Sequence, residues 1–248
     1  MTMNWLQRSE LLYGAKTIES FKRKHVLVVG VGGVGGFAAE FLCRSGIGEM
    51  TIVDADTVSE TNKNRQIAAL TSTLGKPKVD VIGDRLIDIN PDLKLHKINE
   101  FLRDERTVEL LSQTRYDYVV DAIDSLSPKV FLIFHAMQNK LPLVSVMGAG
   151  GKQDPALIQV ADIKKTHKCK LAHSVRKRLH KLGITEGFTA VFSPEEIPAE
   201  AIVIEADNNE QNKLSTVGTA SYMPAMFGGW AASVVIRDLA AAEKFVKQ

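Results

Sequence analysis

Short apolar runs alternate along this chain with stretches whose apolar positions recur every three or four residues. The run His25-Val26-Leu27-Val28-Val29-Gly30 is β-branched and stopped by glycine, as expected of a parallel strand buried on both faces. After a glycine-rich turn, residues 37–45 read as a helix ended by Gly46, and residues 49–54 as a second strand. Val79, Ile82, Leu86 and Ile89 share one helical face over residues 78–89, and Asn90-Pro91 stops that helix. Strands at residues 93–98, 117–121 and 142–146 follow, separated by helices at 105–112 and 127–139. Short helices are expected over residues 6–24, ahead of the first strand.

Strands alternating with helices in this way predict an α/β fold, a Rossmann-like, doubly wound, mostly parallel sheet. The nucleotide-binding core is expected at about residues 25–147. From Gly148 the rhythm changes: short strands at 157–161, 188–192 and 202–204, a basic helix at 171–182, and a closing helix from about Pro224 to Lys247. Residues 148–248 therefore read as a mixed, substrate-facing extension of the same domain rather than a second unit.

Composition narrows the class. With 248 residues, 45% hydrophobic and 24% charged, the chain is long enough for one sizeable core. A net charge of +2 means that a nucleic-acid partner must be met by a local patch. Two cysteines, Cys43 and Cys169, make no disulfide framework and fit a reducing, cytoplasmic setting. The most apolar stretch, residues 222–239, is interrupted by Pro224, Gly228, Gly229 and Arg237, so a buried helix is expected there and no membrane association.

Candidate chemistry begins at Gly30-Val31-Gly32-Gly33-Val34-Gly35-Gly36, on a strand-to-helix junction. Backbone amides at a helix N-terminus bind phosphate, and glycines allow close approach, which makes Gly30, Gly32, Gly33 and Gly35 candidate nucleotide contacts. Asp54 ends the second strand nineteen positions beyond Gly35, where a carboxylate can hold ribose hydroxyls. Both features suit NAD as well as ATP.

The next motifs discriminate. Asp54-Ala55-Asp56-Thr57-Val58 leads to Asn62-Lys63-Asn64-Arg65-Gln66, then Lys78, then Asp121-Ala122-Ile123-Asp124. In this order and spacing the sequence resembles the ubiquitin-activating-enzyme-like superfamily, over roughly residues 8–151. The resemblance implies ATP and Mg2+ as cofactors, with Asp54, Asp56, Asn62, Gln66 and Asp121 among the nucleotide contacts. Arg65 and Lys78 are the expected cations on the phosphates, because adenylylation of a carboxylate builds negative charge there. Asp124 is the expected magnesium ligand. Arg8, in Gln7-Arg8-Ser9-Glu10, resembles the superfamily arginine that reaches a partner subunit's site, which implies a homodimer.

Absence of any C-x-x-C pair sets the chain apart from superfamily members that carry a structural zinc. Gly46-Ile47-Gly48, Asp121-Ala122-Ile123-Asp124-Ser125, Gly148-Ala149-Gly150-Gly151 and Asp154-Pro155 resemble instead the branch that dehydrates threonylcarbamoyladenosine in tRNA. That likeness implies ligase-type chemistry: ATP activates the threonyl carboxylate, and the neighbouring carbamoyl group displaces AMP to close a ring beside the anticodon. Between Lys164 and Lys181 stand eight Lys or Arg residues, three His and no acid. Lys165, Arg176, Lys177, Arg178 and Lys181 are thus candidate contacts to the RNA backbone, with a solvated charged face as the alternative. Two rival readings stay open: activation of a small ubiquitin-like or sulfur-carrier protein ending in Gly-Gly, and a nicotinamide-dependent oxidoreductase. A sulfur-transfer protein is a further candidate partner.

Overall fold

The computed structural model describes residues 5–203 and 216–245. Two short helices, α1 (Gln7–Tyr13) and α2 (Ala15–Phe21), precede β1 (His25–Val29). Then come α3 (Gly35–Arg44), β2 (Glu49–Val53), α4 (Lys78–Ile89), β3 (Lys94–Ile98), α5 (Asp104–Gln113), β4 (Tyr118–Asp121), α6 (Leu126–Gln138) and β5 (Leu143–Val146). The remainder supplies β6 (Gln159–Asp162), α7 (Lys170–Lys181), β7 (Thr189–Phe192), β8 (Ile202–Val203), β9 (Thr216–Val217) and α8 (Met223–Phe245). The ends of the expected strand at Ile204 and of the closing helix at Lys247 lie outside the described residues.

Seven strands form one sheet in the order β3-β2-β1-β4-β5-β7-β6. Every pairing is parallel except β6 with β7, so the extension beyond Gly148 adds two strands to the same sheet. Successive residues of β1 explain the double winding. Val26 and Val28 join a cluster with Ala38, Leu42, Ile82, Leu86, Phe227 and Val235. Leu27 and Val29 point the other way, to Leu111, Val130, Ile133, Val175 and Leu179. Both faces are covered by helices, which is why β1 reads as an unbroken apolar run.

Helix α8 packs along α3, β5 and β7, with Phe227 and Val235 fully buried. Burying Phe227 stabilises the fold by roughly 1.5–3 kcal/mol. Among the described residues, α8 is also the helix long and apolar enough to cross a bilayer, and half of that stretch is buried inside the protein.

Local structure departs from the sequence pattern in three places. Helix α3 starts at Gly35 rather than Phe37, and its first turn admits only glycine there, since a Cβ at Gly35 would fall 1.7 Å from the Gly30 carbonyl oxygen. Strand β6 starts at Gln159 rather than Leu157. The Asp154 carboxylate accepts the Ala156 N–H, and Pro155 opens a 3-10 turn over Pro155–Leu157. The two-residue pair β8–β9 was not legible as a unit, since β9 is too short to carry a period.

Candidate active site

The C-terminal ends of β1, β2 and β4 converge on the glycine loop. Gly30 has φ +85°, and a Cβ there would meet the Ala122 carbonyl oxygen at 2.8 Å. The glycine loop thus lies directly against residues 122–125, in the crevice at the carboxyl ends of adjacent parallel strands where α/β folds hold ligands. Gly32 and Gly33 face the β2–α4 crossover: Gln66 lies 3.6 Å from a Cβ on Gly32, and the Arg65 carbonyl 3.4 Å from one on Gly33.

Asp54 is half-buried just beyond the end of β2. Its Oδ2 accepts the Val31 N–H at 2.8 Å, and its Oδ1 accepts the Asp56 N–H at 2.9 Å. Burial raises its pKa, against the pull of Lys78 and of these two backbone donors. Lys78, 5% exposed at the start of α4, reaches Asp56 with Nζ 2.7 Å from Oδ2. Val31, Asp54, Asp56 and Lys78 therefore form one connected cluster beside the glycine loop. Arg65 donates from Nη1 to the Thr61 carbonyl at 3.0 Å and to Asn64 Oδ1 at 2.7 Å. These bonds hold its guanidinium on the crossover that faces Gly33.

Two expected nucleotide contacts also have structural duties. Asn62 is 9% exposed, and its Oδ1 accepts the Ser59 N–H at 3.1 Å, capping the 3-10 turn Glu60–Asn62 that precedes Arg65. Asp121 is 0% exposed. Its Oδ2 lies 2.9 Å from Lys129 Nζ and accepts from Ser145, and its Oδ1 accepts the Ile123 N–H. Asn62 is engaged by the backbone of its own turn, whereas the buried Asp121 carboxylate is engaged chiefly by the Lys129 and Ser145 side chains. Asp121 acts on the site indirectly, by fixing the loop that presents the exposed Asp124.

Gln66 behaves differently. Its Oε1 is buried with no hydrogen-bond partner among the described residues, and its amide lies against Gly32. A buried acceptor left unpaired is costly, which makes Gln66 a candidate for a ligand contact at the glycine loop.

Sequence reasoning missed Lys129. Its ammonium is fully buried, bonded to Asp121 and to the Ile123 carbonyl at 2.8 Å. The available signal was a lysine leading the apolar run Val130-Phe131-Leu132-Ile133, opposite an aspartate in an apolar strand.

The segment beyond Gly148 meets the crossover at Asn64. Asn64 donates to the Thr219 carbonyl at 3.1 Å, tying the segment before α8 to the crossover. That segment closes over Gly151, whose N–H donates to the Gly218 carbonyl at 2.7 Å. A cavity of about 350 Å³ lies there, lined by Lys152, Gln153, Thr219 and Tyr222 among others. Lys152 is 3% exposed, and burial lowers its pKa.

Helix α7 buries Ala172, Val175 and Leu179 and leaves Lys177, Arg178 and Lys181 exposed, with Lys165 exposed just before it. Arg178 donates to Ser127 Oγ at 2.6 Å, three positions after Asp124, so the basic helix adjoins the mouth of the site. Arg176 turns inward to Thr166 and is only partly available to a ligand. Arg8 is exposed on α1. Cys43 is buried and its thiol is pushed up to about 12 by burial, which makes it unreactive.

Comparison with known proteins places these features. The sequence model of the ThiF family matches residues 6–247. The tRNA threonylcarbamoyladenosine dehydratase of Bacillus subtilis is 39% identical over 246 residues, 96% of this chain and 95% of that protein. The crystal structure of the E. coli tRNA N6-threonylcarbamoyladenosine dehydratase in complex with ATP superposes with a TM-score of 0.87 at 37% identity, covering 98% of this chain and 97% of that one. The E. coli molybdopterin-synthase adenylyltransferase is 36% identical, but over 51% of this chain and 50% of its own length.

Proposed function

This chain belongs to the ThiF family, and from that membership and the site we propose that it dehydrates threonylcarbamoyladenosine in tRNA at the expense of ATP. The likeness to dehydratases runs nearly end to end, whereas the likeness to an adenylyltransferase for a carrier protein stops at about half the chain. That contrast in coverage carries the choice.

The geometry supports the following division of labour. Glycine-loop amides and Gln66 receive the nucleotide, and Asp54 is the acceptor for its ribose. Lys78 and Arg65 approach the phosphates from the crossover side and stabilise the charge that grows as a threonyl carboxylate attacks the α-phosphorus. Pyrophosphate leaves, and the acyl-adenylate is then attacked by the adjacent carbamoyl group, releasing AMP and closing the ring. That nucleophile is already attached to the substrate, so no protein cysteine is needed. The exposed carboxylate of Asp124 suits a magnesium ion, which favours one or two carboxylates plus phosphate oxygens and would neutralise phosphate charge. Formally this is ligase-type chemistry.

A second copy of the chain is the partner suggested by the surface. Leu11 and Leu12 on α1 are 82% and 75% exposed, and Phe41, Met226 and Trp230 form a further apolar face on α3 and α8. Arg8 lies on the same α1, consistent with a homodimer in which it reaches the neighbouring site.

The deciding experiment is mass spectrometry of anticodon-loop nucleosides after incubation of modified tRNA with the protein and ATP. The expected product is lighter by one water, and AMP appears in step with it. AMP formation that instead requires a small protein ending in Gly-Gly would favour the carrier-activating alternative. For the RNA surface, Lys177→Ala with Lys181→Ala should weaken tRNA binding and reduce the slope of log affinity against log salt by about 1–2, with ATP affinity unchanged. An unaltered slope would remove α7 from the interface.

A further inference from the structure

At the opposite end of the sheet from the glycine loop, three adjacent parallel strands bring two imidazoles and a carboxylate together. His25 begins β1, Glu49 begins β2 directly beside it, and His96 lies on β3 beside Thr51. His25 Nδ1 is 3.4 Å from Glu49 Oε1, and His96 Nε2 is 2.9 Å from the same oxygen. All three candidate ligand atoms lie within 4.8 Å of one another.

We propose that His25, Glu49 and His96 form a binding site for one divalent transition-metal ion of the zinc class, with water completing its coordination. Bond lengths of 2.0–2.2 Å to zinc place neighbouring donors of a tetrahedron ~3.3 Å apart. The two nitrogen–oxygen separations bracket that value, and His96, 44% exposed, has room to turn inward. Two imidazoles with one carboxylate select zinc, nickel or copper over magnesium, whose preference is for oxygen donors.

The surroundings prepare these groups for a metal. His25 is 6% exposed, and its Nε2 is paired with Thr51 Oγ1 at 2.8 Å. With the proton on Nε2, the Nδ1 lone pair faces Glu49, the orienting arrangement usual for metal-bound histidines. The Tyr116 ring packs 4.7 Å from the His25 ring and closes the site from the β4 side. Burial lowers the His25 pKa and so favours its neutral, ligating form. Burial pushes the Glu49 carboxyl up, but bonds from Lys94 and His96 outweigh it and keep it ionised.

Lys94 is the competitor, with Nζ 2.8 Å from Glu49 Oε1. It is 66% exposed, and an exposed ion pair on a flexible stem is weakly held, so a metal can displace it. The site stands ~15 Å from the adenylylation loops, the length of a five-residue strand, and does not depend on the activity assigned to them.

The test is a titration of the untagged, full-length chain with Co2+, read by visible absorption in excess magnesium, followed by displacement with Zn2+. One Co2+ per chain is expected, displaced by one Zn2+, together with a rise in melting temperature that EDTA reverses. His96→Asn and Glu49→Gln should each reduce affinity more than about tenfold while melting like the parent in EDTA, and Thr51→Val should reduce it by about tenfold. His96 is exposed, so its variant folds. No binding at micromolar Co2+ would overturn the proposal. So would stoichiometric binding that survives both His96→Asn and Glu49→Gln, which would assign the ion elsewhere.

Discussion

Replacing Lys78 or Arg65 by alanine is expected to lower the rate of AMP formation roughly 10²–10³-fold at saturating ATP, with the fold intact. The loss follows from where charge develops. Each cation stands beside the glycine loop, and a fixed donor in a partly enclosed site needs no solvent reorganisation when the phosphate becomes more negative. The fold survives for a separate reason. Removing Lys78 leaves Asp56 without its ion pair, but that carboxylate is 68% exposed and water replaces the lost partner. Among the described residues, Arg65 bonds to the Thr61 carbonyl and to Asn64, both in its own loop. Asp124→Ala is expected to fall in the same class. Circular dichroism and single-turnover rates separate chemistry from folding. A Lys78→Ala or Arg65→Ala chain that turned over at the parent rate would refute these roles. If Arg8 completes the neighbouring site, an equal mixture of Arg8→Ala and Lys78→Ala chains should recover about a quarter of parent activity, since half the dimers are mixed and each holds one intact site.

Lys129→Met should cost about 3–5 kcal/mol of stability, a large share of the roughly 5–15 kcal/mol that holds a domain of ordinary stability together. Here both partners are fully buried, and no water can reach Asp121 when the ammonium is gone. The remaining donors, the Ser145 hydroxyl and the Ile123 N–H, are too few for a buried carboxylate. The double variant Asp121→Asn, Lys129→Met should be less unstable than Lys129→Met alone, because the uncompensated charge is removed with its partner. Urea midpoints at constant slope measure both. A Lys129→Met chain within about 0.5 kcal/mol of the parent would show that the pair is not a structural anchor. The loop from Ala122 to Ser125 hangs on this pair, so activity per folded molecule should fall as well.

Lys78 and Arg65 stand out in the sequence because the order of the polar groups after Asp54 repeats a known pattern. Lys129 does not, because a single lysine in an apolar helix carries no period and no motif. Asp121 illustrates the same limit from the other side: it belongs to the Asp121-Ala122-Ile123-Asp124 motif, yet it faces inward to Lys129 and Ser145, whereas Asp124 is exposed. Motif membership identifies the loop but not which carboxylate points where.

The chain's pattern alone determined the strand–helix alternation, the glycine turn after β1, the basic face of α7 and the family. Each is set by contacts local in sequence: apolar periodicity, a glycine that any Cβ would obstruct, charges spaced along one helix. Tertiary structure decided what local rules cannot reach. It turned Asn62 and Asp121 into anchors and Arg176 toward Thr166, and left the Gln66 oxygen facing the glycine loop. It also drew His25, Glu49 and His96 together from three strands up to seventy-one positions apart. Side-chain partners across a sheet depend on register and on which face is buried. Those are properties of the packed whole, not of any segment of it.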